Sequence, residues 1–145
     1  MACDKDVLVG LATRFRTAII ESEPRSLIGS LTNYPNGACE DASYLLARYF
    51  ADQGCGEFEF VLGVRKQKSH SHAWLEQEGL IVDITADQFK GMNSGVFVSQ
   101  NGSWHRQFIE ENRHIADYVI RYRNSTDNTL ANLNDSYMKI IRNIV

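Results

Sequence analysis

The sequence predicts an α+β domain in which helices pack on an antiparallel sheet. Three observations predict it. Two amphipathic helical stretches open the chain, short apolar runs separated by turns follow one another closely, and a further amphipathic helix closes it. At 145 residues the chain is most economically one domain over 1–145, large enough to bury a core. It shows no internal repeat, low-complexity tract or linker.

Each element has a local reason. In "KDVLVGLATRFRTAIIE", residues 5–21, Val7, Leu8, Leu11, Phe15, Ala18 and Ile19 recur at helical spacing, and Pro24 ends the run. Residues 26–38 are rich in turn formers, with "NYPNG" the strongest punctuation. "CEDASYLLARYFADQG" then aligns Ala42, Leu45, Leu46, Tyr49 and Phe50, so a helix runs from near Cys39 to Gly54, a natural C′ residue. "EFEFVLGV" alternates as a strand does over 57–64. "SHAWLEQ" and "GLIVDIT" read as two strands joined at a Glu-Gly turn. "GVFVSQNGSW" and "ADYVIRYR" are expected to add strands. The tail places Leu130, Leu133, Tyr137, Ile140, Ile141 and Ile144 on one helical stripe, with Asp127 or Asn128 as its cap.

Composition narrows the function classes. Hydrophobic residues make up 43% and charged residues 23%, the profile of a folded soluble protein. A net charge of −3 advertises neither nucleic acid nor an anionic membrane as partner. No apolar run approaches the ~20 residues of a membrane span. "MACDKDVLVG" carries acids where a signal peptide is basic, so a cytoplasmic protein is the default expectation, while delivery as a secreted effector by a signal-less route would leave no trace. The three cysteines, Cys3, Cys39 and Cys55, lack zinc-type spacing, and their odd number argues against a disulfide framework.

Cys39 stands apart because it follows a Pro-Asn-Gly turn and opens a helix. A thiolate there meets unsatisfied backbone N–H groups and the positive end of the helix dipole. Glu40 and Asp41 oppose that charge, so a histidinium partner is needed. Cys3 and Cys55 have no such setting and are read as inert.

The hairpin supplies the histidine. In a strand, residues two apart share a face, so His72, Trp74 and Glu76 point one way. Asp83, alone among apolar neighbours, calls for a partner. A two-residue Gln77-Glu78 loop sets His72 opposite Asp83; a Glu78-Gly79 loop sets Asp83 opposite Trp74, one diagonal step from His72. Gly at the second loop position favours the latter. Both keep imidazole and carboxylate on one face, where Asp83 can orient His72. His70 shares that face, but no third or fourth metal ligand accompanies the His-x-His pair. His105 and His114 lie among polar neighbours and are read as surface residues, and Glu76 as solvated.

Cysteine opening a helix, then "HAWLE", then "IVDIT" resembles the core of the transglutaminase-like superfamily of papain-like cysteine enzymes. "GVR" before "HAWLE" is similar to the small peptidase domains that remove leaders from lasso-type peptides. The resemblance covers residues 33 to about 89. It implies a papain/transglutaminase-like core with Cys39 as nucleophile, His72 as general base and acid, and Asp83 as orienter. It also implies an oxyanion site, for which the Cys39 backbone N–H and the Asn33 side chain are the first two donors. Asn33 stands where papain-like peptidases usually carry glutamine; Asn36 ranks lower. Trp74 packs with a partial view of the cleft, and Asp87 and Gln88 border it.

The expected activity is thiol-dependent amide hydrolysis of a peptide or protein, by a peptidase or a deamidase. The alternatives are transglutaminase-type amine transfer and a non-catalytic peptide-binding member of the fold. Amine transfer needs a second, water-excluding site, for which the chain has little material. No metal or organic cofactor is implied, and no phosphate-binding glycine loop or basic cluster suits coenzyme A.

Overall fold

The computed structural model describes residues 3–65 and 70–144. Among them, α1 spans Lys5–Glu21, α2 Cys39–Asp52, α3 Tyr118–Tyr122 and α4 Thr129–Arg142. The strands are β1 Glu59–Val64, β2 Ser71–Gln77, β3 Leu80–Asp83, β4 Phe97–Ser99 and β5 Ile109–Ile115. They form one sheet in the order β4-β3-β2-β1-β5, every pairing antiparallel. The expected α+β class with an antiparallel sheet is therefore what the chain adopts.

The periodicities explain the packing. In α1, Leu8, Leu11, Ala12, Phe15, Ala18 and Ile19 are buried, and the Asp4 carboxylate caps the helix by accepting from the Val7 N–H at 2.9 Å. Val7, placed on the apolar stripe by spacing, instead lies exposed at the stripe's edge. α2 buries its expected stripe and stacks Tyr44 on Phe60 of β1, with ring centroids 4.5 Å apart. Gly54 takes φ +81° just past α2, the left-handed conformation that ends a helix and suits glycine. Asp127 rather than Asn128 serves the start of α4, accepting from the Thr129 N–H.

Period-2 alternation divides the sheet. Phe60, Ala73, Leu75 and Val82 face the helices and join the main core. Val61, Trp74, Ile81 and Phe108 form a second apolar cluster, with Phe89, Phe97 and Trp104 packed against it. By the same alternation His72 and Asp83 fall on this second side.

Two expectations are corrected. "ADYVIRYR" holds helix α3, because the Asp117 carboxylate accepts from the Val119 and Ile120 N–H groups and caps a helical turn. The strand lies just upstream in "IEENRHI", an edge strand so polar and exposed that it carries no alternating signal. Its register against β1 shifts between Leu62 and Gly63. Gly63 is required there: a Cβ would stand 2.7 Å from Phe108 Cβ. Cys3 and Cys55 are not inert thiols but a disulfide spanning 52 residues. It ties the start of α1 to the turn after α2, a proximity that arises only when those helices pack.

No helix among the described residues is long and apolar enough to cross a membrane.

Candidate functional site

β2 and β3 build the polar centre. Gln77 pairs with Leu80 across Glu78 and Gly79, which take φ 50° and 81°, so the loop is the Glu78-Gly79 turn. Leu75 pairs with Val82; one step further along that ladder, Asp83 stands beside Trp74 and diagonal to His72. The diagonal closes. His72 Nε2–H donates to Asp83 Oδ2 at 2.6 Å, and both residues are buried. Thr85, the last residue of "DIT", donates its backbone N–H to Asp83 Oδ1 at 2.9 Å.

His105 meets the same carboxylate. Its Nε2–H donates to Asp83 Oδ2 at 2.7 Å, and the residue is 2% exposed. This overturns its reading as a surface residue. Polar neighbours hid it: Gln100, Asn101, Ser103 and Arg106 are solvent-facing, while the short helical turn His105–Gln107 points the imidazole inward. Trp104 and Phe108 on either side were the available signal, since both pack on the second cluster. His114 is half-buried too, hydrogen-bonded to the Tyr44 hydroxyl at 2.7 Å and stacked on Phe60. His70 stays exposed.

Burial by itself would drive His72 toward its neutral form. The Asp83 carboxylate outweighs this, with help from Cys39, and raises the imidazole to about 9. Burial would likewise push Asp83 up, yet the two imidazoles hold its carboxyl well below the usual carboxylate range. With Nε2 committed to Asp83, Nδ1 is the ring nitrogen left to His72. It is buried and forms no hydrogen bond among the described residues.

Cys39 opens α2 and is the free thiol of the three cysteines. It is partly buried against the core. The N-cap residue Ala38 offers no side-chain acceptor, so the first-turn N–H groups, that of Cys39 included, are left uncapped. Arg16 of α1 ties the loop before Cys39 to the chain after Asp83. Its guanidinium donates to the Ile84 carbonyl at 2.7 Å and the Gly95 carbonyl at 2.8 Å, and grips Asp87 with both terminal nitrogens. The Tyr34 hydroxyl, in the turn before Cys39, donates to the same Ile84 carbonyl. Asp87, expected at the cleft border, is thus the partner of Arg16.

Asn33 and Asn36 are exposed in that turn, and neither side chain is hydrogen-bonded to a described residue. Trp74 is buried, its Nε1–H donating to Glu76 at 2.8 Å, and it packs 5.7 Å from His72, centroid to centroid. It is a packed wall of the second cluster. Glu76 also pairs with Arg113 and is not freely solvated. Trp74, Glu76, His105 and Arg113 line a cavity of about 420 Å³. A cavity of about 430 Å³ beside Arg48, Asp52 and Tyr118 touches none of the expected site residues.

His72, Asp83 and His105 bring ligand-type atoms within 4.8 Å of one another. Their contacts of 2.6 and 2.7 Å are those of shared protons. Two ligands of a tetrahedral zinc stand about 3.3 Å apart. The cluster is therefore read as a carboxylate gripped by two imidazoles.

What this arrangement can do chemically is keep an imidazole charged against a buried carboxylate, a state that the free thiol of Cys39 at the start of α2 also favours. No protein-family model matches the chain, and neither a curated protein nor a solved structure matches it.

Proposed function

We propose that the protein is a thiol-dependent amide hydrolase, a cysteine peptidase or protein deamidase of transglutaminase-like type. One observation carries this reading. His72 is anchored through one nitrogen to a buried carboxylate, while its other nitrogen is buried, unpaired and left to the influence of Cys39. His105 Nδ1 is buried and unpaired as well, so what sets His72 apart is that the free thiol of Cys39 favours its charged form.

The chemistry follows in two halves. The Cys39 thiolate attacks the amide carbonyl carbon, and the carbonyl oxygen becomes an oxyanion facing the uncapped first-turn N–H groups of α2. As the C–N bond breaks, the amine or ammonia leaves with the proton from His72 Nδ1, and a thioester remains on Cys39. Water enters, gives a proton back to Nδ1 and attacks the thioester carbon. The carboxylic acid departs and the thiolate–imidazolium pair is restored. Asp83 stays ionised throughout, holding the imidazole through Nε2. Asn33 remains our choice as second oxyanion donor, its exposed amide free to turn toward substrate. The partner is a peptide or protein with an accessible amide. The Cys3–Cys55 disulfide favours work in an oxidising compartment over the cytoplasm.

Since Cys3 and Cys55 are bonded, iodoacetamide reads Cys39 alone. At neutral pH the folded protein should be alkylated faster than its unfolded chain, and His72→Ala should slow the reaction. Equal, slow labelling would favour the non-catalytic, peptide-binding reading. A proteome-wide cleavage and deamidation screen comparing the parent with Cys39→Ala then identifies the substrate.

A further inference from the structure

We propose that His105 is a positioning residue of the Cys39–His72–Asp83 site. It holds the carboxylate and moderates its grip on His72 through the one oxygen that both imidazoles share. This inference rests on the hydrolase reading above.

The geometry leaves Asp83 no freedom. Oδ1 accepts from Thr85 N–H at 2.9 Å; Oδ2 accepts from His72 at 2.6 Å and from His105 at 2.7 Å. His105 is itself clamped, its ring centroid 4.9 Å from Trp74, 4.8 Å from Phe97 and 4.8 Å from Trp104. A side chain placed there for packing alone would be apolar. His105 instead leaves a buried Nδ1 without a partner, and a leucine or methionine would carry no such cost. Its polarity serves Asp83 and nothing else among the described residues.

The consequence for His72 follows from sharing. Two donors on one oxygen divide its electron density, so each hydrogen bond is weaker than it would be alone. A general acid has to surrender its proton near the working pH, and a carboxylate reserved for His72 would hold that proton too tightly. His105 draws off part of the pull while keeping Asp83 in place. The ionisable groups facing His105 are Asp83 from β3 and His72 from β2. Glu76, Arg106, Glu110 and Arg113 line the adjoining cavity.

The test is the titration of the His72 ring by NMR, its signals assigned by their loss in His72→Ala. The parent midpoint should lie near 9. His105→Met, which fills the space without a donor, should move it upward by about one pH unit. His105→Gln, whose amide N–H reaches where Nε2 stood, should return it to within a few tenths of the parent. The alkaline limb of Cys39 alkylation should move with it. Should His105→Met fail to fold, His105→Asn, whose amide falls short of Asp83, takes its place with the same expected shift. An unmoved midpoint in a folded donor-less variant, or a Gln variant that restores nothing, would overturn the proposal. Failure of the hydrolase reading would look different: slow alkylation of Cys39 in the parent, whatever His105→Met does to the midpoint.

Discussion

The two faces of the sheet are made by the same strands and do opposite work. Toward the helices, Phe60, Ala73, Leu75 and Val82 are apolar and share the main core with buried residues of α1, α2 and α4. On the far side, His72, Asp83 and His105 are as deeply buried, yet no α-helix of the core covers them. Aromatic side chains do so instead: Phe89, Phe97, Trp104 and Phe108, carried on β4 and the loops around it. A layer of loop-borne aromatics removes water from the charged trio. Stability and chemistry are thus assigned to alternate residues of single strands, which is possible because the side-chain period of a strand is two.

The sharpest way to break the comparison is to remove the thiol. Cys39→Ala should lower hydrolysis by about 10³-fold or more while leaving the melting temperature nearly unchanged, as activity assays beside thermal melts will show. On the helix-facing side the effect reverses. Leu75→Ala, fully buried next to Trp74, should cost about 2–5 kcal/mol in urea unfolding and still leave Cys39 reactive in the folded fraction. Reducing the Cys3–Cys55 disulfide, with Cys39 first blocked, should cost about 3–4 kcal/mol by releasing a 52-residue separation in the unfolded chain. A calorimetric scan with and without reductant reads this.

The far face is tested through its pH dependence. His72 is raised from 6.5 to about 9 on folding, so its contribution to stability is full below 6.5 and is lost as pH rises through 9. The melting temperature should fall across that window, and the fall should be blunted in His72→Gln. Asp83 is shifted the other way, so its contribution is present above its unfolded value and is lost only in strong acid. A flat profile between pH 6.5 and 9 would count against a charged His72 in the folded state.

The legible parts of the chain are those where local pattern and global packing agree. The boundaries of α1 and the start of α2 follow directly from the spacing of Leu8, Leu11 and Phe15 and from the turn before Cys39. The His72–Asp83 pairing was readable because Glu78-Gly79 sets the register and parity does the rest. The polar edge strand β5 was not readable: with Glu110, Glu111, Asn112 and Arg113 all exposed, it has no hydrophobic alternation to show. His105 was hidden for a related reason. Its sequence neighbours face water, and only the return of the chain over β3 turns its ring onto Asp83.

The sequence by itself determined helices α1, α2 and α4, the central hairpin and the common face of His72 and Asp83, because each depends on interactions within a few residues or across one tight turn. Tertiary structure alone decided that Cys3 meets Cys55, that Arg16 ties the turn before Cys39 to the chain after Asp83, and that a second imidazole shares the Asp83 carboxylate. Those contacts join residues 18 to 79 positions apart, and no local periodicity records which distant segments will be brought together when the core closes.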